Sequence, residues 1–368
     1  MSKKETEIED NVLEKIKIIC EDIKESILRM KAPSLNIPVR ALSNVEYDPN
    51  VGYLKLKNLK KKRTLTASTA RSFAQSMRML ELSHQLIKSN DIATKREAYY
   101  TAYNWEDASF KNQPESDNIM DDIEATLGLN REQLGFIPEE KGGDVAGDLI
   151  VIDRDPETNE EIRIDCKRMG SGAYSIPSSV EHLKFETNAK AILAIETAGM
   201  FQRLVKHKYW EKSKTILISM GGVPTRACRR FIRRLSDDKN LPVYAFTDGD
   251  FYGYMNIYRT LKVGSGNAAH INRFFCVPNA RFIGVTPDDI IEYKLPTHPL
   301  KEVDIKRGKD ALKNDPFVRY HKEWQEAIKK QIALSKRAEQ QAFAKYDLNY
   351  VISKYLPEKL ANPKKWLP

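Results

Sequence analysis

Strand and helix patterns that alternate from residue 189 onward predict an α/β and α+β multidomain chain, helical at first and built on a parallel sheet later. The expected strands cover 189–195, 215–220, 242–247 and 280–285, with helices near 198–208, 224–237 and 251–261. A length of 368 residues suits two or three domains, and a hydrophobic fraction of 41% suits an ordinary globular core.

The earlier elements follow from periodicity and turn chemistry. Val12, Leu13, Ile16, Ile19, Ile23, Ile27 and Met30 recur at helical spacing, so 11–30 is an amphipathic helix. Pro33 and Pro38 follow it, so it is expected to stand apart, with folding back on its own chain as the alternative. A short strand at 51–56 leads into a basic run, Lys55, Lys57, Lys60, Lys61, Lys62 and Arg63. That run reads equally as a solvated loop or as phosphate contact. A second helix covers 66–89, and a third starts at Thr94, where Glu97 completes the spacing of a capping box. Short helices are expected across 119–135, around Leu127-Gly128-Leu129. Helices with short strands fit a winged-helix module. Residues 148–153 and 161–166 read as a hairpin around Asp155-Pro156-Glu157-Thr158-Asn159, and the tail as helical, with a long segment from Val318 to Tyr346.

Composition excludes several classes. The formal charge of +9 favours a polyanionic partner, although basic surfaces also serve solubility. The start, Met1 to Glu7, has no apolar signal region, and no run approaches the roughly 20 apolar residues of a membrane span. Cys20, Cys166, Cys228 and Cys276 form no CxxC and read as buried thiols of a reducing compartment. The histidines show no HxxxH, so zinc chemistry is not expected.

Chemistry concentrates at two places. The run 191–195 ends in Glu196, and Ala245-Phe246-Thr247 leads into Asp248 and Asp250. In a strand, residues i and i+2 share a side, so the two aspartates and the glutamate of a neighbouring strand make a three-carboxylate cluster. Such a cluster repels itself unless a cation sits in it, and an all-oxygen set suits Mg²⁺. The second place is Lys95-Arg96-Glu97-Ala98-Tyr99-Tyr100-Thr101-Ala102-Tyr103. Arg96 and Tyr100 lie one helical turn apart, where a guanidinium can hold a phosphate against the hydroxyl. Tyr99 and Tyr103 read as core aromatics. On the helix from Pro224 to Asp237, Cys228, Phe231, Ile232 and Leu235 form a buried face. Arg226, Arg229, Arg230, Arg233 and Arg234 occupy the other, read as DNA-backbone contact with ion pairs as the alternative. The glycine-rich spots at 170–172 and 264–266 match no phosphate loop, so no ATP site is expected here.

The combination resembles the A subunits of archaeal DNA topoisomerase VI, whose relatives include the eukaryotic protein that makes meiotic double-strand breaks. Glu196, Asp248-Gly249-Asp250 and Tyr252-Gly253 look like the Toprim metal motif, and 95–100 like the segment with the nucleophilic tyrosine, here Tyr100. The stretches Met220–Arg226, Ile257–Asn267 and Leu295–Leu300 also look like this family. Where the family usually has proline after the second aspartate this chain has Phe251, which keeps an N–H and loosens the constraint on Asp250.

The resemblance implies an N-terminal extension and basic segment (1–65), a winged-helix, CAP-like domain carrying Tyr100 (66–145), and a Toprim domain with C-terminal helices (146–368). It implies a type IIB topoisomerase subunit that breaks both strands of DNA through 5′-phosphotyrosyl links. Arg96 supports the phosphate, Glu196, Asp248 and Asp250 hold Mg²⁺, and Lys60, Lys61 and Lys62 join the arginines at DNA. The expected assembly is a homodimer joined, as A2B2, to an ATP-binding B subunit, with the helix at 11–30 a candidate contact. The expected setting is the cytoplasm, at the nucleoid of a prokaryotic cell, with no membrane partner. The alternatives are a Toprim nuclease or primase, which has no use for Tyr100, and a break-making protein or DNA-binding scaffold without strand passage.

Overall fold

The N-terminal helix α1 (Lys3–Leu28) does not stand apart. Val12 and Ile16 are buried with Met79 and Leu80 of α2 (Ala70–Ser89) and with Ile119, Met120 and Ile123 of α4 (Gln113–Leu127). Lys15 Nζ also donates to Leu127 O at 3.0 Å. A helix with one apolar stripe gains most by burying it on the nearest apolar surface, here its own chain. In the computed structural model, residues 3–138, 142–155 and 157–368 are described. Met1 and Ser2 of the expected leaderless start, and Pro156 of the expected hairpin turn, lie outside them.

Between α1 and α4 run β1 (Ser34–Pro38), β2 (Val45–Asp48), β3 (Tyr53–Leu56), β4 (Lys60–Thr64), α2, β5 (Ala93–Thr94) and α3 (Lys95–Thr101). Strand β1 pairs antiparallel with β4, β2 with β3, and β5 pairs parallel with β6 (Phe136–Ile137). Lys60, Lys61 and Lys62 are therefore on a strand, not a loop, and all three are exposed. The capping box is present: Thr94 accepts from Glu97 N, and the Glu97 carboxylate accepts from Thr94 N at 2.7 Å. Residues 119–127 close one long helix rather than forming several short ones. Gly128, at φ +62°, ends it in the left-handed conformation that glycine tolerates.

A three-stranded antiparallel sheet follows, in the order β11 (Lys184–Glu186), β8 (Ile150–Arg154), β9 (Glu161–Asp165), with β8 and β9 the expected hairpin. The main sheet has six strands in the order β10 (Tyr174–Ser175), β7 (Asp144–Ala146), β13 (Thr215–Ser219), β12 (Ala191–Ile195), β14 (Val243–Phe246), β15 (Ala280–Gly284). The last four are mutually parallel. Every residue of β12 and β13 is buried, which is why both read as unbroken apolar runs. Ile192, Ala194, Ile216 and Ile218 face α7 (Arg226–Lys239) and the helical turns from Phe251 to Leu261. Leu193, Ile195 and Leu217 pack with Met200, Phe201 and Leu204 of α5 (Ala198–Lys206) and with Tyr209 and Trp210 of α6 (Tyr209–Ser213). The sheet is thus covered on both faces.

The tail departs from the long helix expected over 318–346. Helices Glu302–Asn314, Pro316–Tyr320 and Lys322–Leu334 are separate, and Ser335, at φ +54°, ends the last one. Lys336–Arg337 then pairs with His298–Pro299, and Gly249 bridges to Ala338. That break brings residues 336–340 against the acidic strand end. Among the described residues no helix is long and apolar enough to cross a membrane.

Candidate active site: an acidic strand end and an exposed tyrosine

Strands β12 and β14 are neighbours with Ile195 level with Phe246, so their carboxyl ends deliver Glu196 and Asp248 side by side. Strand β13 lies on the other side of β12, so the chain order reverses here, where open α/β sheets bind ligands. Glu196 N donates to Phe246 O at 3.0 Å, and Asp248 N donates to Glu196 Oε2 at 2.8 Å. Glu196 is only 9% exposed. Burial, then the charge of Asp248, pushes its carboxyl up to about 8, against the pull of the Asp248 N–H. Burial also pushes Asp248 up to about 6, helped by Asp250 and Glu339 and opposed by the Gln340 N–H and Arg337.

Asp250 behaves differently from expectation. Strand β14 stops at Phe246, so the two-residue strand period does not reach it. Its Oδ1 accepts from Gly253 N at 2.8 Å, starting the next helix, and its Oδ2 lies 3.5 Å from Arg337 Nη1. The three carboxylates do not converge within 4.8 Å of one another. Their donor set still fits a hard divalent cation. It is all oxygen, Glu196 and Asp248 each spend one oxygen on a backbone N–H, and burial, with neighbouring carboxylates adding to it, raises the proton affinity of both. Phe251 is fully buried against Gly308 and packs edge-on to Tyr254 at 6.2 Å. Packing thus supplies the constraint that a proline ring would otherwise give.

Sequence reasoning missed the wall that steadies this loop. Gln340 N donates to Asp248 Oδ1 at 2.8 Å, while its side chain accepts from Thr197 Oγ1 at 2.9 Å and donates to Phe246 O at 2.8 Å. Gln331 Nε2 donates to Gly249 O at 3.2 Å and its Oε1 accepts from Tyr254 Oη at 3.0 Å. Both glutamines are fully buried. A buried glutamine is itself a signal of a polar network, but burial is not readable until the path of the tail is known.

Tyr100 sits on α3 and is 58% exposed, and Arg96, one turn before it, is also exposed. The Tyr100 ring stacks on Tyr103 at 5.9 Å and lies 5.5 Å from Tyr99, whose hydroxyl meets that of Tyr103 at 3.1 Å. Tyr99 leans on the helical core, but Tyr103, expected in the core, is 62% exposed. Among the described residues no hydrogen bond, ion pair or ring contact joins α3 to Glu196, Asp248 or Asp250.

The arginines of α7 are not a free DNA surface. Arg226 bonds Glu132 at 2.9 and 2.8 Å and Glu124 at 2.7 Å. Arg230 bonds Glu181 at 2.6 and 2.7 Å, and Arg233 bonds Cys276 O at 2.7 Å and Asp237 at 2.5 Å. Arg234 reaches Leu183 O at 2.7 Å and Val180 O, and Arg229 is buried near the Phe275 ring. The ion-pair alternative holds, because acids from distant segments lie opposite the helix. Arg226 ties it to α4 and so clamps the tyrosine-bearing helices to the sheet. Burial raises the Glu124 carboxyl, but Arg226, His270 and Arg131 outweigh it and hold it well below the usual range. Asp121, Glu124 and His270 do converge within 4.8 Å, yet these guanidiniums already neutralise the acids. Cys20, expected to be buried, is exposed on α1.

The chain thus joins an α/β sheet with acidic residues at its switch point to a helical unit with an exposed tyrosine. Family models match accordingly. "Type IIB DNA topoisomerase" matches over 71–136, and "All-beta domain in DNA topoisomerase VI alpha subunit" over 139–189. The Toprim domain shared by Spo11 and the topoisomerase 6 A subunit matches over 191–360. The A subunit of type 2 DNA topoisomerase 6 from Methanocaldococcus jannaschii is 51% identical over 368 residues, covering 100% of this chain and 98% of that protein. The subunit of the same name from Methanothermobacter thermautotrophicus is 38% identical over 351 residues, covering 95% and 96%. That of Halobacterium salinarum is 34% identical over 365 residues, covering 98% and 99%. The chain belongs to the family of topoisomerase VI A subunits. It is a subunit of a type II DNA topoisomerase, an enzyme of the isomerase class, and Toprim domains bind divalent metals.

Proposed function

We propose that this chain cuts and rejoins duplex DNA with Tyr100 as nucleophile. Tyr100 Oη attacks a backbone phosphorus, an O–P bond forms to give a 5′-phosphotyrosyl ester, and the P–O3′ bond breaks. The tyrosine hydroxyl gives up its proton and the departing 3′ oxygen takes one, so the step conserves the phosphoester and rejoining is its reverse. Arg96, one turn away, holds the phosphate's other oxygens and balances the developing charge. Glu196, Asp248 and Asp250 hold Mg²⁺, which when bound supplies positive charge for the 3′ oxygen or the adjacent phosphate.

One observation carries the reading furthest. Tyr100 is exposed on the helical unit and, among the described residues, makes no contact with the carboxylates of its own chain. That separation supports a site shared between two copies, the tyrosine of one meeting the acids of the other. The helical unit over 66–145 then acts as a winged-helix, CAP-like module, after an extension over 1–65 and before a Toprim domain with C-terminal helices over 146–368. Exposed Lys60, Lys61 and Lys62 contact phosphates. The assembly is A2B2 at the nucleoid, with ATP bound by the B subunit. Ile18, Ile27 and Leu28 of α1 are left exposed for contact with it. Supercoiled plasmid should relax in the presence of the B subunit, ATP and Mg²⁺, and Tyr100→Phe should abolish this. Relaxation that persists in that variant would assign cutting to the carboxylates alone.

A further inference from the structure

Arg337 enters the acidic centre from the tail, and its contact there is unusual. An arginine on a carboxylate normally uses two nitrogens at hydrogen-bond distance, as Arg226 does on Glu132. Arg337 offers one nitrogen, 3.5 Å from Asp250 Oδ2, and its Nε is buried with no hydrogen-bond partner. Its backbone, by contrast, is pinned. Lys336 O accepts from Gln331 Nε2 at 2.5 Å, Arg337 pairs with His298, and Gly249 N donates to Ala338 O at 2.7 Å. The guanidinium is thus held at the site by a fixed strand and bound to it by a weak, incomplete pair. The side chain keeps 26% of its surface exposed, so the head has room to turn.

Asp250 is also one of three carboxylates that do not all converge within 4.8 Å. Its Oδ2, the oxygen not spent on Gly253 N, is the one Arg337 faces. The geometry points to Arg337 as the internal counter-cation of the acidic centre: it occupies Asp250 while no metal is bound, and a divalent cation must displace it to gather all three carboxylates. Arg337 is a positioning residue in this scheme, setting the cation concentration at which the site assembles. A single guanidinium in place of a metal also limits the repulsion among Glu196, Asp248 and Asp250, which would otherwise weaken the metal-free fold. The inference rests on the reading that these acids hold a divalent cation.

Thermal unfolding of the full chain against MgCl₂ at constant ionic strength separates the two claims. A ligand that binds only the folded chain raises its melting temperature, so the midpoint of that rise reports affinity. Arg337→Ala is expected to melt lower than the wild type in EDTA. Its Mg²⁺ midpoint should fall by roughly two- to fivefold, the range of one partly exposed ion pair. Arg337→Lys, which keeps the charge, should stay near the wild-type midpoint. Should the alanine variant fail to fold, Arg337→Gln, longer and still polar, is read in the same way. A midpoint that is unchanged or higher in the neutral variants overturns the counter-cation role while leaving the metal reading intact. No Mg²⁺ stabilisation of the wild type, or the same stabilisation in Glu196→Ala, overturns the metal reading and this inference with it.

Discussion

The backbone N–H of Asp248 donates to the carboxylate of Glu196 at 2.8 Å, tying together two acids that come from neighbouring parallel strands. The bond fixes one oxygen of Glu196 and steadies the start of the acidic loop. It does not offset the cost of burying the charged form, so Glu196 keeps its proton up to about 8.

Glu196→Gln should therefore stabilise the chain in EDTA. Near pH 7 a group raised from 4.5 to about 8 still holds a proton that the unfolded chain has lost, which is a net cost of the folded state. Removing the titratable group is worth about 1–3 kcal/mol. The same variant should lose Mg²⁺-dependent stabilisation. Calorimetry with and without MgCl₂ checks both, and a lower melting temperature in EDTA would count against the electrostatic account.

Arg226→Ala should destabilise by about 3–5 kcal/mol, since it leaves the Glu132 side chain buried without its partner and Glu124 with only Arg131 and His270. The salt dependence of DNA binding should barely change. Lys60→Ala and Lys62→Ala should do the reverse, leaving stability unchanged and lowering the slope of log affinity against log salt by about 1 each. Denaturant melts paired with salt titrations of duplex binding distinguish the structural arginine from the DNA-facing lysines.

Lys262 gives a pH signature far from the acids. Its amine is buried, and burial, with Arg281 second, lowers it from 10.5 to about 7. It donates to Pro278 O and Ala280 O, each at 2.8 Å. Between about pH 7 and 10.5 the unfolded chain holds this proton and the folded chain does not. The unfolded state binds more protons there, so this group's contribution makes stability rise with pH across that window. Unfolding free energies of wild type and Lys262→Met should diverge over that range, with the wild type gaining relative to the variant.

Mixing Tyr100→Phe with Glu196→Ala copies tests where the two halves of the site come from. If tyrosine and acids belong to different protomers, the mixed dimer retains one intact site and nicks one strand. If both come from one chain, every site in the mixture carries a lesion and plasmid stays closed.

Much of this arrangement is legible in the residues themselves. The doubly buried strands β12 and β13 announce themselves as unbroken apolar runs, and the Thr94–Glu97 box fixes the start of the tyrosine helix. Glu196 and Asp248 follow because each stands just beyond a parallel strand. The true surroundings of Asp250 and the arrival of Arg337 are not legible, because both depend on where regular structure stops. The strand period ends at Phe246, and Arg337 reaches the site only because Ser335 takes a left-handed turn. The arginines of α7 mislead because a sequence shows their charge but not the acids opposite. Glu124, Glu132 and Glu181 come from segments far along the chain.

The most direct measurement is a denaturing gel of labelled duplex DNA incubated with the chain, its B subunit, ATP and Mg²⁺, with mapping of the modified residue. The expected result is a covalent adduct at Tyr100 through a 5′-phosphate, absent in Tyr100→Phe and in EDTA. Cleavage without any protein-linked strand, or an adduct on Tyr99 or Tyr103, would contradict the account.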